Sequence, residues 1–213
     1  MISFFAKMKK TLDVFGLEFF IYFSLKFIKS KLTPGHSVKA VLSQASIPLF
    51  TLEGSINSPE NLKILLDLKA DLFVSIGGNQ VFKRALLDIP TQGTINLHTA
   101  LLPKYRGLMP SFWVLKNQEK YTGVSVFFVD EGIDSGPIVV QKKVEIAGRT
   151  QEELIEYTKD IGMDCILEAM ISIRDQSYTL IPNPQEELTY FSFPSRQDVI
   201  TFKKNGALFF RWI

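Results

Sequence analysis

The chain has 213 residues, 46% hydrophobic and 22% charged, and its 24 Lys plus Arg against 22 Asp plus Glu leave a formal net charge of +2. That balance excludes wholesale disorder and a broad nucleic-acid footprint, leaving room only for a tRNA held by a local patch, and the length suits one domain with a small appendage. The lone cysteine, Cys165, excludes an internal disulfide and is compatible with a reducing compartment.

Residues 12–32 (LDVFGLEFFIYFSLKFIKSKL) are dense in aromatics. Asp13, Glu18 and Lys26 interrupt the run, which falls short of the ~20 apolar residues a membrane span needs, and no small-residue cleavage site follows. The pattern predicts an internal, largely buried helix. An interfacial helix helped by Lys26, Lys29 and Lys31 is the alternative. Thr33-Pro34-Gly35 should stop it, with His36 exposed in the turn beyond.

A short helix is expected over 37–45 and a short strand over 48–52 (PLFTL). Ser58-Pro59-Glu60 then opens a helix reaching about Lys69, with serine as cap and proline in the first helical position. Residues 71–76 (DLFVSI) read as a strand buried on both faces of a parallel sheet. Gly77-Gly78-Asn79 ends it, and a helix over about 81–87 precedes a strand at 94–97. A further strand at 122–129 is followed by 138–146, whose alternation predicts antiparallel pairing at the sheet edge. Thr150 caps a long amphipathic helix to Ser172, with Cys165 packed among Ile161, Ile166 and Leu167. Pro182, Pro184 and Pro194 punctuate the short segments after Tyr178.

The expected class is therefore α/β, a Rossmann-like doubly wound, mostly parallel sheet. A helical segment (1–36) precedes the α/β domain (37–175), and an appendage (176–213) follows it. Ligands of such sheets bind at the carboxyl ends of strands, so the ends near Gly77, Asn96 and Asp130 should face one crevice.

Asn96 and His98, two apart at a strand end, should point to one face. An amide and an imidazole side by side suit a reaction that builds negative charge on a carbonyl oxygen. Asn96 can donate to that oxygen without titrating, and His98 can donate or handle a proton. Asp134 could orient the histidine and take a proton from an attacking amine. By spacing alone, a structural His beside an Asn is the commoner use of such a pair. The loop from Leu101 to Gly107 is either bland or, through Tyr105 and Arg106, suited to an anionic substrate. Ser111 lacks a nucleophile elbow, Gly77-Gly78-Asn79 is no dinucleotide fingerprint, and two histidines and a cysteine so far apart argue against a metal site.

At INLH (95–98), LLPKYRG (101–107) and DEGIDSG (130–136) the chain resembles the 10-formyltetrahydrofolate-dependent formyltransferases. These include glycinamide ribonucleotide, methionyl-tRNA and nucleotide-sugar formyltransferases. The resemblance runs from about Asp71 to Ile146, and more loosely back to Val38. It implies the formyltransferase fold, 10-formyltetrahydrofolate as co-substrate and a catalytic trio of Asn96, His98 and Asp134. The folate pocket it implies is built from Asn79, Gln80, Val81 and Phe82 on one side and Asp130, Glu131, Gly132 and Ile133 on the other. Tyr105, Arg106 and Gly107 are the expected acceptor-side residues.

Two departures shape the functional expectation. The family's opening strand and small-residue loop are missing, so the chain either starts downstream of them or lacks them. The exposed strand edges that result predict pairing with a partner or a second copy. The tail is too short for the carboxyl-terminal barrel of methionyl-tRNA formyltransferase, which favours a small primary amine, first of all a nucleotide-linked amino sugar. The reading is a cytoplasmic formyltransferase without a membrane span. Methionyl-tRNA formyltransferase-like activity, hydrolysis of the formyl donor and an inactive folate-binding subunit stay open beside it.

Overall fold

The computed structural model describes residues 4–33 and 37–212, so the Pro34-Gly35 stop and His36 lie outside the described residues. The chain divides into two compact units, Met1–Glu53 with Pro194–Val199 and Gly54–Phe193 with Ile200–Ile213.

In the first unit, α1 (Phe4–Phe15) packs on α2 (Leu17–Leu32), and α3 (Val38–Gln44) follows, its first turn capped by the Ser37 hydroxyl, which accepts from the Ala40 N–H. The single helix expected over 12–32 is broken at Gly16, whose φ of +88° no helix accommodates. The burial expected for it is also corrected, since no residue of α2 is buried. Phe15 stacks on Phe19 at 4.5 Å and Phe23 lies tilted against Phe19 at 4.4 Å, so the aromatic rings cover one side of the helix and its aliphatic side stays open. Residues 48–52 form no strand, with Leu49 and Phe50 exposed, because no described neighbour takes their backbone hydrogen bonds. Among the described residues no helix is long and apolar enough to cross a membrane.

The second unit carries α4 (Pro59–Asp67), β1 (Phe73–Ile76), α5 (Arg84–Leu87), β2 (Thr94–His98), β3 (Arg106–Gly107), α6 (Pro110–Lys116), β4 (Tyr121–Phe128), β5 (Ile138–Glu145) and α7 (Gln151–Arg174). A 3-10 turn (Gln185–Glu187) and β6 (Tyr190–Phe191) follow, then α8 (Arg196–Lys204), of which 200–204 belong here. The sheet order is β1-β2-β4-β5, with β3 and β6 paired separately in parallel.

The mixed α/β class is as expected, and the parallel pairing of the sheet is the β1–β2 pair. β4 runs antiparallel to β2, and β5 returns antiparallel along β4 through the short loop 129–137, which is too brief for a parallel crossover. β1 is not buried on both faces. Among the described strands it pairs only with β2, as an edge, and Val74 and Ile76 are exposed.

Alternation along the strands separates core from site. Ile95 and Leu97 of β2, with Val124 and Val126 of β4, pack against Cys165, Ile166, Ala169 and Ile173 of α7. α7 is held in place by a capping box, in which Thr150 accepts from the Glu153 N–H and Glu153 accepts from the Thr150 N–H. The residues between, Asn96 and His98, are thereby directed to the opposite face. On a second layer, Phe112 of α6 stacks on Phe202 at 4.9 Å and Phe202 on Phe209 at 4.4 Å.

Candidate active site

Ser75, Asn96 and Phe127 are register partners across β1, β2 and β4, and together they floor a crevice of about 300 Å³. Gly78, Asn96 and Asp130 all line it, so the three places expected to face one crevice do so, although across a sheet face on which β4 runs antiparallel and not at three parallel carboxyl ends. Since β4 is antiparallel, Phe128 lies beside Ile95 near the start of β2, and the loop after β4 must fold back to reach the site.

One wall is the loop 79–82, held by side chains from upstream. Gln80 accepts from the Ile56 N–H at 2.9 Å and donates to the Gly54 carbonyl at 3.2 Å. Asn57 donates to the Val81 carbonyl and accepts from the Lys83 N–H. These bonds keep the segment non-helical, so the helix expected from about residue 81 begins only at Arg84. Gln80 therefore offers a ligand its backbone, while Val81 and Phe82 present apolar surface.

The other wall is the loop 130–134, with Leu108 and Tyr190 nearby. Asp130 Oδ1 accepts from the Gly132 N–H at 3.0 Å and from the Ser135 hydroxyl at 2.5 Å, which closes a tight turn. Gly136 lets this turn pass close to β4, since a Cβ there would lie 1.8 Å from the Phe128 carbonyl oxygen. Gly132 and Ile133 line the crevice. Glu131, exposed at the outside of the turn, does not.

Of the three expected catalytic residues, Asn96 and Asp134 line the crevice and His98, 7% exposed, does not. The Asn96 amide makes no side-chain hydrogen bond among the described residues, so its donor is unspent. His98 Nε2 is 2.7 Å from the Tyr105 carbonyl oxygen. A carbonyl only accepts, so Nε2 carries the proton and Nδ1 is turned toward Asp134 Oδ2, 3.7 Å away. Asp134 Oδ2 in turn accepts from the Gly107 N–H at 2.8 Å. Asp134 has φ +49°, a left-handed conformation that Asp tolerates better than most residues.

Tyr105 and Arg106 do not line the crevice, which departs from the substrate-side place expected for them. Arg106 is buried, donating through Nη1 to Gln185 and through Nη2 to both the backbone carbonyl and side-chain oxygen of Asn183. Burial pulls its guanidinium below the ordinary arginine value, while Asp130 and Asp134 favour the charged form. The Tyr105 ring stacks on Phe191, and its hydroxyl donates to Glu119 and accepts from Asn117. Burial, with Glu119 beside it, pushes that phenol up to about 12. Gly107 alone of the three reaches the crevice.

Four residues outside the expected set hold this arrangement. Asn183 Nδ2 donates to the carbonyls of Asp134 and Gly136, at 2.9 and 2.8 Å, tying the loop to buried Arg106. Thr189 accepts from the Tyr105 N–H through its hydroxyl and from the Arg106 N–H through its carbonyl. Ser125, opposite His98 in the ladder, donates to the Ala100 carbonyl and accepts from the Leu102 N–H, and Gln141 donates to Ser125 and to the Leu102 carbonyl. Ser125 and Gln141 were detectable as polar residues in otherwise apolar strand positions. Asn183 and Thr189 carry no comparable local signal.

Residues 29–170, two thirds of the chain, match the formyl transferase family profile. The chain belongs to that family. Among curated formyl transferases, the methionyl-tRNA formyltransferase of Kosmotoga olearia is 32% identical over 182 residues, covering 83% of this chain and 57% of the relative. That of Thermodesulfovibrio yellowstonii is 37% identical over 155 residues, covering 72% and 49%. The chain thus spans about half the length of these relatives. A solved structure of an N-formyltransferase from Helicobacter canadensis, in complex with folinic acid and dTDP-3-aminofucose, shares the fold with a TM-score of 0.58. It is 23% identical, over 76% of this chain and 55% of that one.

Proposed function

We propose that the crevice binds 10-formyltetrahydrofolate and that Asn96, His98 and Asp134 carry its formyl group to a primary amine, first of all a nucleotide-linked amino sugar. The observation that carries this reading is the unspent Asn96 amide sharing one crevice with Asp134, itself backed by His98. The two walls suit a flat pterin, with Val81, Phe82 and Ile133 supplying apolar contact and the backbone of 130–133 supplying polar groups for its edge. Folate ligands named in the complexes of structural neighbours support the same co-substrate.

The geometry supports the following roles. Asn96 donates to the formyl oxygen as the amine nitrogen bonds to the formyl carbon and charge moves onto that oxygen. Asp134, oriented by the Gly107 N–H, takes the proton the amine loses. His98, its ring fixed by the Tyr105 carbonyl, turns Nδ1 to Asp134 and shares that proton. The old carbon–nitrogen bond breaks as the oxyanion collapses, and the proton passes to the departing nitrogen, so the products are a formamide and tetrahydrofolate.

The small-amine reading draws support from the fold shared with sugar N-formyltransferases. A tRNA acceptor is the second reading, favoured by the sequence likeness to methionyl-tRNA formyltransferases. The test is to incubate the purified chain with 10-formyltetrahydrofolate, alone, with nucleotide-linked amino sugars and with methionyl-tRNA, and to follow tetrahydrofolate release. Release only with an amino sugar is the expected result, and release only with the tRNA transfers the assignment to the second reading. Release without any amine means hydrolysis. Intact folate binding with no release means a binding subunit.

A further inference from the structure

The open side of α2 has a regular chemistry. Leu17, Ile21, Leu25, Ile28 and Leu32 recur at intervals of four, four, three and four, which at about 100° per residue confines them to an arc of about 80°. They are 63%, 43%, 56%, 53% and 77% exposed. Phe19 and Phe23, whose rings pack tilted at 4.4 Å, lie on the opposite side of the helix. Lys29 and Lys31 fall about 80° to either side of the centre of the aliphatic stripe, where long side chains can carry their charge past a buried apolar face.

Charge decides what covers this face. Residues 4–33 hold six lysines against Asp13 and Glu18, and no carboxylate occurs between Glu18 and Glu53. A second copy would oppose the lysines of this segment with only Glu18, which flanks the stripe in the first turn of α2, whereas an anionic surface complements the whole lysine excess. The family profile starts at residue 29, so most of α2 lies outside the matched region. At 16 residues and ~1.5 Å per residue the helix is about 24 Å long, short of the ~30 Å hydrocarbon core, so it can lie on a bilayer but not cross it.

We propose that α2 seats its aliphatic stripe in the surface of an anionic lipid bilayer, with Lys29 and Lys31 reaching the headgroup phosphates. This holds the transferase unit at a membrane and is independent of the acceptor assigned above.

The test is flotation of the full chain with vesicles of phosphatidylcholine alone and of phosphatidylcholine mixed with phosphatidylglycerol. Binding to the mixed vesicles, weakened by salt, is expected. At ~1 kcal/mol per lysine, Lys29→Gln with Lys31→Gln should lower the partition coefficient roughly 30-fold. Ile21→Asp with Ile28→Asp should abolish flotation while leaving the circular dichroism spectrum unchanged, since both positions are exposed. Absence of flotation, equal binding to both vesicle types, or flotation that survives the isoleucine changes overturns the proposal. So does a concentration-dependent dimer in solution that Ile28→Asp dissolves, because a second copy would then own the face.

Discussion

Asn183→Ala removes one side chain that holds the loop bearing Asp134. The lost bonds are two neutral ones to the carbonyls of Asp134 and Gly136 and one charge-assisted bond from Arg106. At roughly 1 kcal/mol for each neutral bond and roughly 1.5–3 for the charged one, the ceiling is about 3.5–5 kcal/mol. Water entering the gap recovers part of this, so a stability loss of about 2–3 kcal/mol by urea unfolding is expected. A loop released by 2 kcal/mol shifts its docked fraction roughly 30-fold, which should lower kcat for tetrahydrofolate release by a similar order. Asn183→Asp separates the two roles, since it keeps an acceptor for Arg106 but opposes two carbonyl oxygens. The charge it brings to Arg106 offsets part of the two neutral bonds it loses, so that variant should unfold at a higher urea concentration than Asn183→Ala yet lose as much kcat. Wild-type kcat in both variants would refute the claim that Asn183 positions Asp134.

Gly107→Ala should cost at least about 2 kcal/mol, because φ is +95° and the new Cβ would lie 2.2 Å from the Phe191 carbonyl oxygen, and a fall in Tm checks it. Cys165 is fully buried, and burial pushes its thiol up. The unfolded thiol ionises first, so this contribution to stability is complete at neutral pH and is lost as pH rises through the raised native value. Iodoacetamide at pH 8.5 should accordingly label the native protein at least tenfold more slowly than the urea-unfolded chain. Thr150→Ala removes the cap of α7 and should cost about 1 kcal/mol by urea unfolding.

The legible parts of the chain were those whose information is local. The strand at 94–98, the β4–β5 hairpin and the cap at Thr150 each follow from patterns within a few residues, as do Asn96 and His98 on one face. The directions of strands were less accessible, because the sense of β4 depends on how a long connection travels rather than on the composition of β4. Burial failed at β1 and α2 for a related reason. An apolar run tells how much surface wants covering, not whether a neighbour is there to cover it. Tyr105 and Arg106 looked available because their partners, Asn183, Gln185 and Thr189, lie some 80 residues further on, in a proline-broken tail without periodicity.

His98→Ala tests the central claim most directly. His98 is buried and absent from the crevice lining, so its removal should leave the folate Kd within about threefold while lowering turnover by about 10²-fold or more. Folate affinity is read by fluorescence titration and turnover by tetrahydrofolate release, with circular dichroism confirming that the variant is folded. Wild-type turnover in a folded His98→Ala protein would contradict the account, since the Asp134 carboxylate would then work without the imidazole behind it.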